Sequence, residues 1–388
     1  MFRKPIDSKF TMECKGPIVY CPVVQKGKNA VTNEEFMNFF EPRFASHLRD
    51  YEKNPTEALE KAKHIACTSM NIQRRYFCRE LKDLHVPLTP QQQNDMFIDV
   101  GLEMSIPVVE KALNNANIQS SDINCIIFTS HQPYPFPTFT SHLMSALQFS
   151  KDCAQIPVTS LGCAGGGFAL DATNTYLLAH PTHNVLVLCL ELCSLGFRPH
   201  RNGMSWFLNS ALFGDAVGAF VACGADSAAS ATFSASTTAL QLVHTKQRLV
   251  RQTTGVSFFN YDQWGYDFVT TQKLCDACRE NVPDFVADLS QEAFGKLPKE
   301  LPLAVIHPGG TRMIQEVGKE LQLEGSRSSE LAVNCMADGG NIASVSVIDM
   351  IAKSWPTLRW GDEMVCVGMG PGFVMCGAAM RTIMFISA

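Results

Sequence analysis

The chain has 388 residues, a formal net charge of −5 at pH 7, 46% hydrophobic residues and 18% charged residues. This length suffices for a large buried core and two domains, and the charge balance gives no global attraction for nucleic acid or an anionic membrane. The N-terminus lacks the apolar run of a signal peptide, and no stretch is long enough to span a bilayer. We therefore expect a cytoplasmic protein whose 15 cysteines are reduced.

Apolar periodicity predicts an α/β chain in which helices alternate with buried strands. The first half reads as strands at 18–24, 123–129, 156–161 and 184–192, with helices at 33–51, 56–70, 91–115, 140–148 and 168–179. A stretch rich in Ala and Ser, 224–236, predicts a join between two halves, 1–230 and 231–388. The second half reads as helices at 272–281, 286–294, 311–321 and 342–354, with strands at 303–307, 364–368 and 373–386.

Cys163 follows a short apolar strand and precedes a helix, within the small-residue run GCAGGG at 162–167. This order predicts a tight turn that puts the thiol at a helix N-terminus, where unpaired N–H groups and the helix dipole favour a thiolate. The small residues after it leave room for another group to approach the sulfur. On these residues alone, a buried structural cysteine beside a packing turn is an equally good interpretation.

An internal repeat relates Cys163 to Asn341. Val187, at the centre of the strand after the cysteine helix, follows Cys163 by 24 positions, and Val365 follows Asn341 by the same 24. If the halves pack about a pseudo-twofold axis, the two helices meet at its centre. His307 ends a short strand before Pro-Gly-Gly, a position that suits an imidazole projecting into a pocket. Taken alone, His307 could equally be a surface or core histidine whose hydrogen bonds are all made within the protein or to water. Asn341 taken alone could equally be a helix cap.

Together these motifs resemble the type III polyketide synthases, the chalcone synthase-like group of the thiolase-fold condensing enzymes. The matching segments appear in the family's order: LGCAGG at 161–166, LFGD at 212–215, IHPGG at 306–310, GNIAS at 340–344 and GPGF at 370–373. The His-Pro-Gly-Gly context differs from the His-Gln-Ala-Asn setting usual in ketoacyl synthase III. The resemblance implies a thiolase fold, with two pseudo-twofold-related αβ halves in a layered αβαβα core.

The resemblance also implies the chemistry of Cys163, His307 and Asn341. The cysteine would hold a starter acyl group as a thioester. His307 and Asn341 would donate hydrogen bonds to a malonyl thioester carbonyl and stabilise the enolate left by decarboxylation. Pairing with an imidazolium at His307 is expected to lower the pKa of the Cys163 thiol more than the helix terminus does. No metal or redox cofactor is required, because the loss of CO₂ drives the step, and coenzyme A or carrier-protein thioesters are the substrates.

By similarity, Phe213 corresponds to a gate between the acyl tunnel and the reaction cavity, and Phe268 to a second gate residue. Ordinary core packing is the plainer interpretation of both rings. The remaining residues that the resemblance places at the substrate cavity are Cys193, Leu195, Gly196, Gly372 and Phe373. The segment 193–196 replaces threonines of plant members, and Ala343 replaces a serine. A more apolar cavity is therefore expected, which favours an aliphatic starter over an aromatic one.

Residues Lys61, Lys63 and Arg74 are the cations that the resemblance assigns to coenzyme A. Fewer basic residues precede the Arg-Arg-Tyr segment than in plant members, so an acyl carrier protein is an open alternative for substrate delivery. Relatives are homodimers in which the loop at 133–137 touches the partner's cavity, which suggests this role for Tyr134 or Phe136. Asp215 would fix the turn after Gly214.

Two other functions stay open at the level of the sequence. A ketosynthase could perform one condensation, or could join two β-ketoacyl chains without extension. The small number of basic residues before the Arg-Arg-Tyr segment favours this function. A non-catalytic thiolase-fold partner subunit would need no nucleophile, and the intact set of Cys163, His307 and Asn341 argues against it. The expected product of the synthase is a small pyrone- or resorcinol-like polyketide.

Overall fold

The computed structural model describes residues 16–51, 53–132, 135–198, 204–231, 238–262, 265–271 and 273–384. Strands β1 to β14 are, in chain order, Ile18–Val19, Val23–Lys26, Asn29–Thr32, Arg74–Phe77, Cys125–Ser130, Ala154–Thr159, Asn184–Glu191, Ala216–Cys223, Thr238–Thr253, Ser257–Asp262, Gly265–Thr270, Leu303–Ile306, Glu363–Gly370 and Gly372–Met384. Helices α1 to α11 are Asn33–Tyr51, Pro55–His64, Pro90–Ala116, Phe139–Leu147, Gly165–Ala179, Met204–Leu212, Ala228–Ala231, Lys273–Phe294, Thr311–Glu320, Arg327–Ala337 and Val345–Ser354.

The large sheet has the strand order β12-β13-β14-β9-β1-β8-β7-β5-β6, with β2 also paired to β8. Its first-half strands β5, β6 and β7 run parallel to one another, and β12 runs parallel to β13 in the second half. Strand β1 is only two residues long, Ile18–Val19, and pairs with β8 on one side and β9 on the other. It therefore joins the sheets of the two halves along one edge.

Three hydrophobic clusters separate the structure into layers. One cluster packs α3 against β5, β7 and β8, and includes Val109 and Leu188. A second packs α8 and α9 against β13 and β14, and includes Phe285 and Met375. The third lies between the sheets and contains residues of α5 and α11, such as Leu170. This helix–sheet–helix–sheet–helix order confirms the αβαβα thiolase architecture expected from the sequence.

The two central helices are buried on both sides because each lies between the sheets. Eight of the ten residues of α11 are buried, and α5 contacts strands of both halves. A helix that is apolar on more than one face belongs in such an interior layer. The outer helix α3 instead begins with a capping box formed by Thr89 and Gln92, with Pro90 in its first turn. Its boundaries were therefore readable from the sequence.

Several second-half elements differ from the prediction. The 16-residue strand β9 and the β10–β11 hairpin were not predicted, because polar residues interrupt the apolar run of β9. The two helices expected at 272–281 and 286–294 are the single helix α8, which accommodates Pro283. Helix α10 was also missed. The division into 1–230 and 231–388 remains a prediction, since residues 232–237 lie outside the described part of the chain. Among the described helices, none has the length and apolarity needed to cross a membrane.

Candidate active site

Cys163 lies in a single 3-10 turn, Gly162–Ala164, between the end of β6 and the start of α5. The chain reverses here through two residues in the left-handed region, Ser160 with φ 65° and Gly162 with φ 53°. A side chain at Gly162 would be strained by this φ, and its Cβ would lie 2.9 Å from Cδ of Pro371. The turn thus places the thiol at the start of α5, as the sequence predicts.

Asn341 meets Cys163 from the opposite half of the protein. The Sγ of Cys163 donates to Oδ1 of Asn341 over 3.7 Å, and the backbone N–H of Ala343 donates to the same oxygen over 2.9 Å. These two donors fix the orientation of the amide. Its Nδ2 therefore points to the other side, where it donates to the carbonyl oxygen of Gly309 over 3.4 Å.

His307 follows β12, and its backbone N–H donates to the carbonyl oxygen of Val367 over 2.9 Å. The residue is only 3% exposed. Its Nδ1 is a buried atom for which the described residues supply no hydrogen-bond partner. Because Gly309, two residues further on, accepts from Asn341, the loop after β12 brings both predicted donor residues to one place. The His307 side chain itself is among the described residues that line a second, smaller cavity with Met313 and Val317, and it is not among those that line the cavity of Cys163.

Burial opposes the thiolate–imidazolium pair expected from the sequence. Removal from water raises the pKa of the Cys163 thiol to about 12, and the negative charge of Glu191 adds to that rise. Burial lowers the pKa of His307 to about 3. Taken alone, neither the thiolate of Cys163 nor the imidazolium of His307 is therefore favoured in the resting site. The thiol of Cys163 donates its hydrogen bond to Asn341 instead. Activation of Cys163 by His307 stays a prediction.

A cavity of about 670 Å³, measured out to its opening, adjoins Cys163. Its described lining comprises His131, Gly162, Cys163, Cys193, Gly196, Phe197, Arg198, Trp206, Asn209, Ser210, Phe213, Phe259, Phe268, Ala343 and Pro371. Four of the predicted cavity residues are among them, namely Cys193, Gly196, Phe213 and Phe268. The thiol thus opens onto a cavity whose walls are largely aromatic and apolar side chains.

Three of the predicted cavity residues lie elsewhere. Leu195 is 1% exposed and packs in the outer cluster with α3, because the turn Cys193–Gly196 directs it away from the cavity. Phe373, also 1% exposed, belongs to the cluster beneath α8. Gly372 starts β14 behind Pro371, and it is this proline that lines the cavity. These three are therefore absent from the described lining of the cavity, and their role in substrate binding stays a prediction.

Phe213 is connected to Asn341 through the backbone. It forms an isolated bridge with Asn341, and the N–H of Asn341 donates to the carbonyl of Leu212 over 2.8 Å. Its ring meets that of Phe268 edge to face, with centroids 5.6 Å apart.

Asp215 holds the turn after Gly214 against two other segments of the chain. Its carboxylate accepts the backbone N–H groups of Cys78 and Ser194 over 2.7 and 2.8 Å.

Sequence reasoning missed His131 and Glu191, which lie at the carboxyl ends of the neighbouring parallel strands β5 and β7. The register pairs Thr129 with Cys189, and continuing it by two positions brings His131 opposite Glu191. A polar residue at the carboxyl end of each of two buried strands, Glu191 as the last residue of β7 and His131 directly after β5, is the signal that predicts such a pair. Arg198, 2% exposed in the cavity wall, was also missed.

The three predicted coenzyme A cations lie outside the described cavity lining, and two of them already contact carboxylates. Lys63 Nζ is 2.7 Å from Glu41, and Arg74 Nε is 3.8 Å from Asp338. Lys61 is exposed on the last turn of α2. The positive charge in this region is therefore weaker than the residue count suggests.

The chain is similar in sequence to known polyketide synthases. The family model for chalcone and stilbene synthases, N-terminal domain, matches residues 38–227, which include Cys163 and Phe213. Phloroglucinol synthase of Pseudomonas fluorescens is 26% identical over 353 residues, covering 91% of this chain and 95% of its own. The chain belongs to the type III polyketide synthase family. It is therefore an acyltransferase of the class that builds polyketides by Claisen condensation.

Further relatives of this type III polyketide synthase show the same fold. The 1,3,6,8-tetrahydroxynaphthalene synthase of Streptomyces coelicolor is 26% identical over 267 residues, 68% of each chain. Its crystal structure superimposes with a TM-score of 0.82 at 21% identity, covering 96% of this chain and 100% of the other. The type III polyketide synthase domain of Steely1 from Dictyostelium gives a TM-score of 0.83 at 19% identity over 95% of this chain. The thiolase-fold architecture is thus shared along nearly the whole chain.

Proposed function

We propose that this synthase loads an aliphatic acyl group onto Cys163 and extends it with malonyl units to a pyrone- or resorcinol-like product. The observation that carries the proposal is the contact between Cys163 and Asn341 at the edge of an open cavity, with the buried His307 on the loop whose Gly309 accepts from Asn341. An aliphatic starter is supported by the apolar residues Cys193, Gly196 and Ala343, which line the cavity where plant members have hydroxyl-bearing residues.

Loading begins when the Cys163 sulfur attacks the carbonyl carbon of the acyl thioester. The carbon–sulfur bond to the carrier thiol breaks, and the proton of Cys163 leaves with that thiol. The acyl group then occupies the cavity, with its thioester at the start of α5. In the resting site, burial favours the thiol form of Cys163. The thiol therefore loses its proton during the attack on the thioester and not before it.

Extension begins when a malonyl thioester places its carbonyl oxygen between His307 and Asn341. Their N–H groups stabilise the enolate that forms as the malonyl carbon–carbon bond breaks and CO₂ leaves. The enolate carbon attacks the acyl carbon on Cys163, and the Cys163 sulfur leaves. The extended chain is then held by the carrier thiol of the malonyl unit, and it returns to Cys163 by a second thioester exchange before the next extension. Asn341 suits the donor position because its amide does not titrate, and its Nδ2 already faces the loop after His307. No metal or redox cofactor takes part.

We further propose a homodimer in which the loop after β5 contacts the partner. Phe136 in this loop is 99% exposed, which is unfavourable for a large apolar side chain in water. Strand β6, Ala154–Thr159, is an edge strand of the sheet, and three of its alternate side chains are exposed. Tyr134, the other residue expected there, lies outside the described residues. Sedimentation of wild type against Phe136→Asp tests this assembly, and an unchanged sedimentation coefficient contradicts it.

The synthase activity is tested with acyl- and malonyl-coenzyme A and, in parallel, with the same groups on an acyl carrier protein. We expect CO₂ release and products that grow by successive two-carbon units. A single condensation product would instead support the ketosynthase. An absence of turnover with both kinds of thioester would contradict the synthase and leave the non-catalytic partner.

Peptide mapping after loading separates the two cysteines that face the cavity. Cys193 is a matched control, because its thiol lies in the same wall and its pKa is also raised by burial. We expect the acyl group on Cys163 alone, loading to be lost in Cys163→Ala, and loading to persist in Cys193→Ala. Asn341→Ala should still load but should fail to decarboxylate malonyl thioester. Acylation of Cys193 would refute the assignment.

A further inference from the structure

The loop that carries Asn341 is held at its far end by a segment from the first half of the chain. The N–H of Asn341 donates to the carbonyl oxygen of Leu212 over 2.8 Å, and its own carbonyl oxygen accepts the N–H of Gly214 over 3.1 Å. Gly340 has φ 67°, and a Cβ there would lie 2.5 Å from the carbonyl oxygen of Leu212. The backbone at Asn341 is therefore packed closely against the residues after α6.

Lys26, the last residue of β2, holds the start of the same loop. Its Nζ donates to the carboxylate of Asp338 over 2.7 Å and makes a short hydrogen bond to the backbone carbonyl oxygen of that residue. Only 14% of the lysine side chain is exposed, and its Nζ lies 5.1 Å from the ring centroid of Tyr76. The hydroxyl of Tyr76 donates to the other carboxylate oxygen over 3.3 Å. The lysine thus fixes both the side chain and the backbone of a residue three positions before Asn341.

The strand that carries Lys26 is also tied to the segment that contacts Asn341. Lys26 pairs with Ala216 in the sheet, and the N–H of Gly27 donates to the carbonyl oxygen of Asp215 over 2.9 Å. The end of β2 therefore contacts both segments that hold Asn341, one through its backbone and the other through the lysine side chain. A substitution at Lys26 removes the side-chain contact and leaves the backbone contacts of the sheet in place.

Two other cations near Asp338 make weaker contacts with it. Nε of Arg74 and Nζ of Lys353 each lie 3.8 Å from its carboxylate, and Lys353 is closer to Asp349, at 2.7 Å. Arg74 is 50% exposed and Lys353 is 35% exposed, and exposed ion pairs at such distances contribute little. Within the described part of the chain, Lys26 is therefore the cation that hydrogen-bonds to Asp338.

We propose that Lys26 is a positioning residue that sets the place of Asn341, an inference that rests on the donor role of Asn341 in the proposed function. Two glycines separate Asp338 from Asn341, and glycine backbones adopt many conformations. Without the bonds of Lys26, this short segment is held from one side only, and the amide of Asn341 shifts relative to the enolate oxygen. A donor stabilises the enolate only when it is correctly placed, and a displacement of about 1 Å can lower the rate by about 10²-fold.

The test compares Lys26→Met with Lys296→Met in the full-length protein. The control removes a lysine whose Nζ also lies 2.7 Å from a carboxylate, that of Glu363 at the start of β13. Malonyl decarboxylation is measured with malonyl-coenzyme A and with malonyl-N-acetylcysteamine, which lacks the nucleotide. In Lys26→Met we expect kcat to fall about tenfold or more with both thioesters, while KM and the acyl loading of Cys163 stay within about twofold of wild type. Lys26→Arg keeps a charged donor and should recover part of the loss, and Lys296→Met should match wild type.

The outcomes separate this inference from the proposed function. A fall in kcat smaller than about tenfold in Lys26→Met would overturn the role of the lysine and leave the synthase intact. A higher KM for the coenzyme A thioester alone would show that Lys26 binds phosphate, which overturns positioning. Loading lost in the same proportion as decarboxylation, or no recovery in Lys26→Arg, would show a general structural role and overturn it too. A wild-type protein that does not decarboxylate malonyl thioester would overturn the proposed function, and the inference with it.

Discussion

Gly166 lies where the two central helices cross, so adding one methyl group there tests the contact that unites the halves of the site. A Cβ at this position would lie 2.5 Å from Cγ2 of Val347 and closer still to the backbone carbonyl oxygen of Ser344. Carbon atoms pack at about 3.5–4.0 Å, so Gly166→Ala requires α5 and α11 to separate by about 1 Å. The backbone carbonyl cannot turn aside as a flexible side chain would.

This separation acts directly on the contact between Cys163 and Asn341, because Cys163 precedes α5 and Asn341 precedes α11. Overpacking of this kind costs about 1–3 kcal/mol of unfolding free energy. A displacement of about 1 Å in reacting groups can lower turnover by about 10²-fold. We expect Gly166→Ala to show both a lower apparent melting temperature and a loss of polyketide formation of that order.

The assay pairs thermal unfolding with turnover in Gly166→Ala and in the control Gly318→Ala. Gly318 lies within helix α9, and an added Cβ would have no atom within 4 Å. Alanine there should stabilise the protein by about 0.5–1 kcal/mol and leave turnover nearly unchanged. Full activity and an unchanged melting temperature in Gly166→Ala would refute the inferred rigidity of the helix contact.

Three further predictions follow from the site. Glu191→Gln removes a negative charge that raises the pKa of Cys163, so alkylation of Cys163 by iodoacetamide should begin at lower pH than in wild type. An unchanged dependence of the alkylation rate on pH would exclude this electrostatic effect. Phe268→Ala removes one ring of the 5.6 Å pair with Phe213, and mass spectrometry should show longer products or bulkier starters, whereas identical products would exclude a gate. Lys61→Ala should raise KM for an acyl-coenzyme A but not for the matching acyl-N-acetylcysteamine, which lacks the nucleotide; equal effects on both would argue against phosphate binding.

The sequence by itself determined the fold family and the three central residues. Each of these residues has a local context that folding preserves: Cys163 follows a strand and precedes a glycine-rich helix start, and His307 ends a strand before Pro-Gly-Gly. Such signals depend on neighbours in the chain, so they are readable without coordinates. The equal spacing after Cys163 and Asn341 likewise indicated two related halves, and both helices lie in the shared central layer.

Only the tertiary structure decided which side chains face the cavity and which charges are stable there. Leu195 and Cys193 are two positions apart in one turn, yet one packs in the core and the other lines the cavity. His131 and Glu191 are 60 positions apart and meet only through the register of parallel strands. The high pKa of Cys163 depends on removal from water, which the packing of both halves creates. These properties arise from contacts between distant segments, and no local pattern of residues encodes them.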